Sequence, residues 1–219
     1  GDPARMAGLR AVHSSVRVTS LPENRGYAGG MNIGIDVALA AGATHVLLLN
    51  SDVVLPPDCL GRLLGALRSD PAAGITAPVL VSRGQPDLVD NAGLSWHART
   101  GQMRMRERGA PFAAGLPARL AGRVDAVSGC VMLVRREVFQ RVGRLDPSFF
   151  FGFEDLDFCL RADAAGLHTV LADAVAYHEG GGTLPGWSTD RLYYATRNHL
   201  RLASRVGPSR AGPRLVRYA

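Results

Sequence analysis

The residues able to act chemically on a substrate fall in three places. Asp52 comes just after the apolar run Val46-Leu47-Leu48-Leu49, within VLLLNSDVVLPPD at Val46–Asp58. Four apolar residues without alternation predict a parallel strand buried on both faces. The carboxyl end of such a central strand is where open α/β sheets place their ligands. A lone acid there is expensive to bury unless it holds a hard cation such as Mg²⁺ or Mn²⁺, whose charge can bridge to phosphate oxygens. The second place is Glu154-Asp155-Leu156-Asp157. Acids that open a helix meet unpaired N–H groups and a favourable dipole, so an ionised carboxylate can serve as a general base or orient one. Glu154 and Asp157 are spaced to share a face and Asp155 points elsewhere; helix capping by surface acids is the plainer reading. The third is His178, which ends a strand ahead of Gly180-Gly181-Gly182. A single histidine is usually a packed or surface residue, and it becomes a ligand candidate only beside Asp52. His13, His45, His97, His168 and His199 have no comparable setting.

These side chains need a scaffold. Residues 1–15 are helix-compatible, and Val16-Arg17-Val18-Thr19 predicts a short strand. The stretch Asn24-Arg25-Gly26-Tyr27-Ala28-Gly29-Gly30-Met31-Asn32-Ile33-Gly34 then enters a helix running to about Ala41. Its glycines admit close backbone approach, and a helix N-terminus there could receive phosphate; a tight loop with a small-residue packing face is the alternative. Leu60, Leu63, Leu64 and Leu67 mark a helix over Asp58–Arg68, and Ala73–Val81 reads as a buried strand with Pro78 at an edge or bend. Periodicity is poor over 82–122, which predicts an arginine-rich excursion across the sheet. A strand over Val124–Val134, a helix over Arg135–Val142 and a helix over Glu154–Ala165 follow, the last closed by Gly166. Short strands at His168–Leu171 and Ala174–His178, a helix from Thr189 to Arg205 and a frayed tail from Gly207 complete the chain. Alternating strands and helices predict an α/β fold with a mostly parallel sheet flanked by helices, in one domain over 1–206.

The chain has 219 residues, 47% apolar and 20% charged, which fits a globular domain with an ordinary core. The start GDPARMAGLR does not read as a signal peptide, and no run approaches a membrane span. Cys59, Cys130 and Cys159 lack metal-site spacing and are odd in number, which argues against a disulfide framework and fits a reducing cytoplasm. The net charge of +6 comes entirely from arginine, without one lysine. No nucleic-acid partner is expected. The all-arginine usage fits genome composition; a phosphate-rich substrate or an anionic membrane surface explains the excess charge at least as well as a nucleic acid, and arginines along 191–217 could meet headgroups in a peripheral association. There is no Ser-His-Asp order with an elbow motif, no P-loop lysine and no dinucleotide glycine fingerprint after a first strand.

Taken in order, these stretches resemble the family 2 glycosyltransferases of GT-A fold, and most closely their bacterial rhamnosyltransferase-like branch. The segment Asn24–Gly34 is similar to that branch's glycine-rich segment beside the nucleotide. Leu49-Asn50-Ser51-Asp52 resembles its DxD-type metal motif, with Asn50 in place of the first acid and Asp52 as the cation contact. Gly129-Cys130-Val131-Met132-Leu133-Val134-Arg135-Arg136 matches a strand approaching the acceptor, and Phe150–Arg161 matches the acidic helix start. The resemblance spans roughly residues 16–205 and implies a nucleotide and metal half at about 1–81 and an acceptor and base half at about 122–206. It implies Asn24, Arg25, Gly26, Gly29, Asn32, Asn50 and Asp52 for the nucleotide sugar, and Asp52 with His178 for Mg²⁺ or Mn²⁺. It also implies Asp155 as the base with Glu154 second, and a helix carrying Tyr194, Arg197 and Asn198. Members normally begin with a strand, a helix and a second strand that hold much of the base pocket, and Gly1-Asp2-Pro3 resembles the region just after them.

The implied reaction is inverting transfer of a sugar, rhamnose first, from a dTDP- or UDP-linked donor to an acceptor hydroxyl. That acceptor would be a cell-surface glycan, a lipid-linked intermediate or a small natural product, met in the cytoplasm or at the inner face of the membrane. Two other classes stay open. One is a non-catalytic nucleotide-sugar or glycan binding module. The other is a nucleotidyltransferase, which would release pyrophosphate instead of a nucleoside diphosphate.

Overall fold

The structure, a computed structural model, describes Gly8, residues 15–179 and residues 188–206. The expected N-terminal helical piece, the triglycine after His178 and the tail from Gly207 lie outside the described residues, Gly8 and Ser15 excepted. The elements are α1 (Gly26–Ala40), β1 (His45–Leu49), β2 (Val53–Val54), α2 (Cys59–Ser69), β3 (Ala73–Ser82) and β4 (Val89–Asn91). They continue with β5 (Leu94–His97), β6 (Gln102–Met105), α3 (Leu116–Leu120), β7 (Gly122–Val124), β8 (Val131–Arg135) and α4 (Arg136–Val142). A 3-10 turn (Pro147–Phe149), α5 (Glu154–Ala164), β9 (His168–His178) and α6 (Thr189–Val206) end the order.

The main sheet runs β1-β8-β3-β9-β2, with β4 added to β3 and β7 to β9. It is mixed, which corrects the expectation of a mostly parallel sheet: only β3–β9 is a parallel pairing among the described residues. The reason is β8, which runs antiparallel between β1 and β3 and so separates two strands of like direction. Among the described residues β1 stands at the end of this order, not at its centre. Its burial alternates, with Val46 and Leu48 buried, Leu47 half-buried against the other core and Leu49 exposed, so its two faces are unequally covered. β3 is the true central strand, nine consecutive residues being buried. Pro78 sits where the β3–β9 register shifts between Ala77 and Val79, a bulge that tolerates its missing N–H.

Helices cover both faces. Cys59, Leu63 and Leu67 of α2 pack with Leu80, Val131, Leu133 and Val170 on one side. Ile35 of α1, Phe139 of α4, Phe158 of α5 and Leu202 of α6 pack with Val46, Leu48, Ile75 and Met132 on the other. The alternation along β8 sends Val131 and Leu133 to the first core and Met132 and Val134 to the second.

Four local expectations are revised. Val16–Thr19 is not a sheet strand. The stretch Val124–Val134 is interrupted at Ser128-Gly129, leaving β7 and β8 as separate strands with different partners. The two short strands after His168 are one, β9, with an irregularity opposite Pro78. The excursion at 82–122 is built: it contributes β4, the β5–β6 hairpin and α3, and the hairpin leans on α6 through Trp96 and His199, whose rings meet edge to face at 5.9 Å.

Candidate active site

Asp52 lies in the turn between β1 and β2, and β2 pairs with the end of β9 so that Val53 faces His178. The Asp52 carbonyl accepts the Glu179 N–H at 3.0 Å, which locks the turn to the strand end. His178 Nε2 stands 3.5 Å from Asp52 Oδ2. The other carboxylate oxygen, Oδ1, is buried with no hydrogen-bond partner. An orphaned anionic oxygen beside an imidazole nitrogen is the donor set a hard divalent cation would satisfy. Among the described residues no group of three or more His, Cys, Asp or Glu side chains is arranged to hold a metal. Two protein ligands, with phosphate oxygens and water filling the other positions, fit Mg²⁺ or Mn²⁺ chemistry.

One residue here had no signal in the sequence. Asp90, on β4, places Oδ2 2.8 Å from His178 Nδ1. Asp90 first, and then the Cys130 thiol at 3.6 Å from Nε2, raise the His178 pKa to about 10 against the opposing effect of burial. A cation on Nε2 competes directly with that proton. Asn50, the residue in place of a first acid, is fixed by its N–H to the Cys130 carbonyl at 2.9 Å and directs its amide to Cys130 Sγ at 3.6 Å. The three cysteines are free.

The acid helix is reached one residue away. Gly129, next to Cys130, donates its N–H to Asp155 Oδ2 at 2.9 Å, and Leu156 N–H donates to Oδ1 at 2.8 Å. Adjacent residues of one bend therefore touch both the Asp52–His178 corner and Asp155. The Gly129 carbonyl accepts the Tyr27 hydroxyl at 2.5 Å, and a Cβ at 129 would press on that hydroxyl. Burial, followed by Asp155 and Glu154, pushes the Tyr27 phenol far up.

Glu154 and Asp155 differ in environment. Glu154 is buried, its Oε2 has no partner, and burial followed by the neighbouring Asp155 charge pushes it up to about 8. Burial also raises Asp155, but the Gly129 and Leu156 amides pull it back toward the carboxylate. Both acids thus lie above their ordinary values, but only Asp155 is gripped by backbone amides, and it keeps some solvent-accessible surface. Asp157 is used otherwise: its side chain is 4% exposed and is paired with Arg161 at 2.8 Å and Arg205 at 3.0 Å.

The loop before α5 is strained and then clamped. Phe150 and Phe153 have φ of 62° and 73°, a left-handed conformation that costs a non-glycine residue about 1–3 kcal/mol. On α6, Asn198 Nδ2 donates toward the carbonyls of Phe149, Phe151 and Gly152 at 2.8, 2.9 and 2.8 Å. Arg197 reaches those of Ser148 and Phe149 at 2.6 and 2.9 Å, and Phe150 stacks on Tyr194 at 5.1 Å. The resemblance-based expectation for Tyr194, Arg197 and Asn198 thus acquires a physical content: they hold the loop that presents the acids. The arginines of α6 are also partly spoken for, since Arg205 binds Asp146 as well as Asp157.

The glycine-rich segment makes the same kind of contact, which tips its two readings toward packing. Tyr27 N–H donates to the Phe150 carbonyl at 3.0 Å, and a Cβ at Gly26, whose φ is 68°, would overlap that carbonyl. At Gly29 a Cβ would press on the Arg25 side chain. Asn32 uses both ends of its amide on the Leu145 backbone, at 2.8 and 3.1 Å. Asn24 caps the helix through Gly26 N–H at 2.9 Å, and Arg25 pairs with Glu23 at the surface. Three of the residues expected at the nucleotide, Asn24, Gly26 and Asn32, are therefore engaged in capping α1 or in seating it against the stretch before α5.

Comparison with known proteins places this arrangement. A family model described as "Glycosyltransferase like family 2" matches residues 4–202. The chain is 25% identical over 207 residues to the dTDP-rhamnosyl transferase RfbF of Shigella flexneri, covering 90% of this chain and 65% of that protein. It is 27% identical over 157 residues to the low-salt glycan biosynthesis hexosyltransferase Agl10 of Haloferax volcanii, covering 68% and 47%. It thus spans about half to two-thirds of the length of these curated relatives. Among solved structures it superposes on GalNAc-T7, crystallised with UDP, GalNAc and Mn²⁺, with a TM-score of 0.65 at 15% identity, over 93% of this chain and 39% of the other. The mannosyltransferase PcManGT from Pyrobaculum calidifontis, in complex with GDP-Man and Mn²⁺, gives 0.55 at 17% identity, over 94% and 52%. With the mixed sheet, the turn acid and the acid-headed helix all falling inside the matched span, the chain belongs to the glycosyltransferase-like family 2 and has a GT-A-type fold.

Proposed function

We propose that this chain catalyses inverting transfer of a sugar from a nucleoside diphosphate to an acceptor hydroxyl. The observation that carries the reading is the bend Gly129-Cys130, which joins a two-ligand cation corner to the amide-held Asp155. Asp52 and His178 would hold Mg²⁺ or Mn²⁺, which neutralises charge growing on the leaving diphosphate. Asp155 takes the proton of the attacking hydroxyl, a role worth about 10²–10⁴-fold in rate. Glu154, buried beside it and raised to about 8, is the second candidate for that role. One displacement needs no covalent sugar on the protein and inverts the anomeric centre. Asn50 lies beside the corner and is assigned to the donor with Asp52.

The donor we assign is a dTDP- or UDP-sugar, rhamnose first, supported by the similarity to a dTDP-rhamnosyl transferase. The acceptor class is a glycan, lipid-linked or small-molecule hydroxyl. The test is calorimetric titration of UDP, dTDP, GDP and CDP with and without Mn²⁺, followed by turnover with the matching sugar nucleotide and NMR of the product. Mn²⁺-dependent binding of one nucleotide and an inverted product are expected. A retained anomeric configuration would overturn the single displacement, pyrophosphate as product would select nucleotidyl transfer, and binding without turnover would select a binding module.

A further inference from the structure

We infer that Asp90 is a positioning residue for the cation corner, an inference that rests on Asp52 and His178 being the ligands. β4 is only three residues long, and its flanking side chains, Val89 and Asn91, are buried. Alternation sends Asp90 the other way. β4 and β9 lie on opposite edges of β3: β4 pairs with Leu80 and Val81 there, while Ser82 at the end of β3 is the partner of His178. Asp90 and His178 meet across this strand end at 2.8 Å.

The bond has a chemical consequence beyond tying strands together. A carboxylate accepts only, so Nδ1 keeps its proton on Asp90, and Nε2 is the nitrogen from which a cation would displace a proton. Nε2 is the nitrogen 3.5 Å from Asp52 Oδ2, so Asp90 selects both the tautomer and the ring orientation the cation requires. The His178 backbone is pinned independently, since its carbonyl accepts Arg83 N–H at 2.8 Å and the next N–H goes to the Asp52 carbonyl. The strand end thus has backbone bonds of its own, and Asp90 acts on the ring, whose Nε2 the Cys130 thiol also meets at 3.6 Å.

The test is Mn²⁺ binding to the 219-residue chain, followed by the free-ion EPR signal, with ¹⁵N NMR of the His178 ring in Mg²⁺ and thermal melting alongside. Asp90→Ala should weaken Mn²⁺ about 10–100-fold and give a mixture of ring tautomers. Asp90→Asn, which keeps an acceptor oxygen and loses the charge, should fall between Ala and wild type and retain the Nδ1–H form. Unchanged Mn²⁺ affinity in Asp90→Ala, with only the melting temperature lowered, would overturn the inference. If Asp90→Ala does not fold, an Asp90→Asn protein with wild-type affinity would do so too. Asp52→Asn separates the premise: if it leaves Mn²⁺ binding intact, or if the wild-type chain binds none, the ligand assignment itself falls.

Discussion

The two corners of the site are held by opposite means. At the cation corner, side chains position side chains: Asp90 on His178 and His178 beside Asp52, with one carboxylate oxygen left unpartnered. At the acid corner the backbone does the work. Asp155 is gripped by two amides, and the loop before it is held by carbonyls that accept from Tyr27, Arg197 and Asn198. A corner that must receive an ion keeps an open valence, whereas a base must meet a proton at a set distance and is built rigidly. The difference predicts that damage to the first shows as lost ligand affinity and damage to the second as lost turnover.

The largest effect that would break this contrast is at Asp155. Asp155→Asn should lower kcat by about 10²–10⁴-fold while Mn²⁺ and nucleotide titrations stay near wild type; normal turnover would remove Asp155 as the base. Next is Asp52→Asn, for which calorimetry should show the loss of metal-dependent nucleotide binding with little change in melting temperature. A variant that still binds nucleotide only with Mn²⁺ would take Asp52 out of the ligand set.

Asn198→Ala sharpens the comparison, because it touches the acid corner alone. Three loop carbonyls lose a donor, and a destabilisation of about 1–3 kcal/mol in denaturant unfolding is expected. Turnover should fall and Mn²⁺ affinity should hold; a parallel loss of Mn²⁺ affinity would mean the corners are not separable. The smallest effect is a slope. Glu154 is raised in the fold from about 4.5 to about 8, so the unfolded chain releases its proton first. The folded state is then favoured below the lower value and loses that advantage as pH rises through the upper one. Glu154→Gln should flatten the decline in stability between about pH 5 and about pH 8, measured by chemical denaturation at stepped pH. An unchanged slope would mean that Glu154 is ionised in the fold.

Much of this was legible in the residues because it is local. The helices over Cys59–Ser69, Glu154–Ala164 and Thr189–Val206 follow from apolar spacing and end residues within one stretch of chain. Asp52, Asp155 and His178 stood out because acids and a histidine at element ends have few structural reasons to be there. The glycine-rich segment shows where such legibility stops. Glycine reports that something comes close without reporting what, and at Gly26 it is the Phe150 carbonyl from more than a hundred residues on.

Sequence by itself therefore determined the class of fold, the acids and the histidine, since periodicity and residue chemistry are properties of short windows. Strand order and partnership belonged to the tertiary structure alone. An apolar run such as Val46–Leu49 reads the same at the centre of a sheet or at its edge, and only the pairing order puts it at the end of the described sheet. Asp90 is the sharpest case: an acid in a poorly periodic stretch carries no local mark. It acquires a role only when β3 brings β4 and β9 to the same strand end, 88 residues apart in sequence. Contacts at that separation are set by how whole elements pack, and no window of the chain contains both partners.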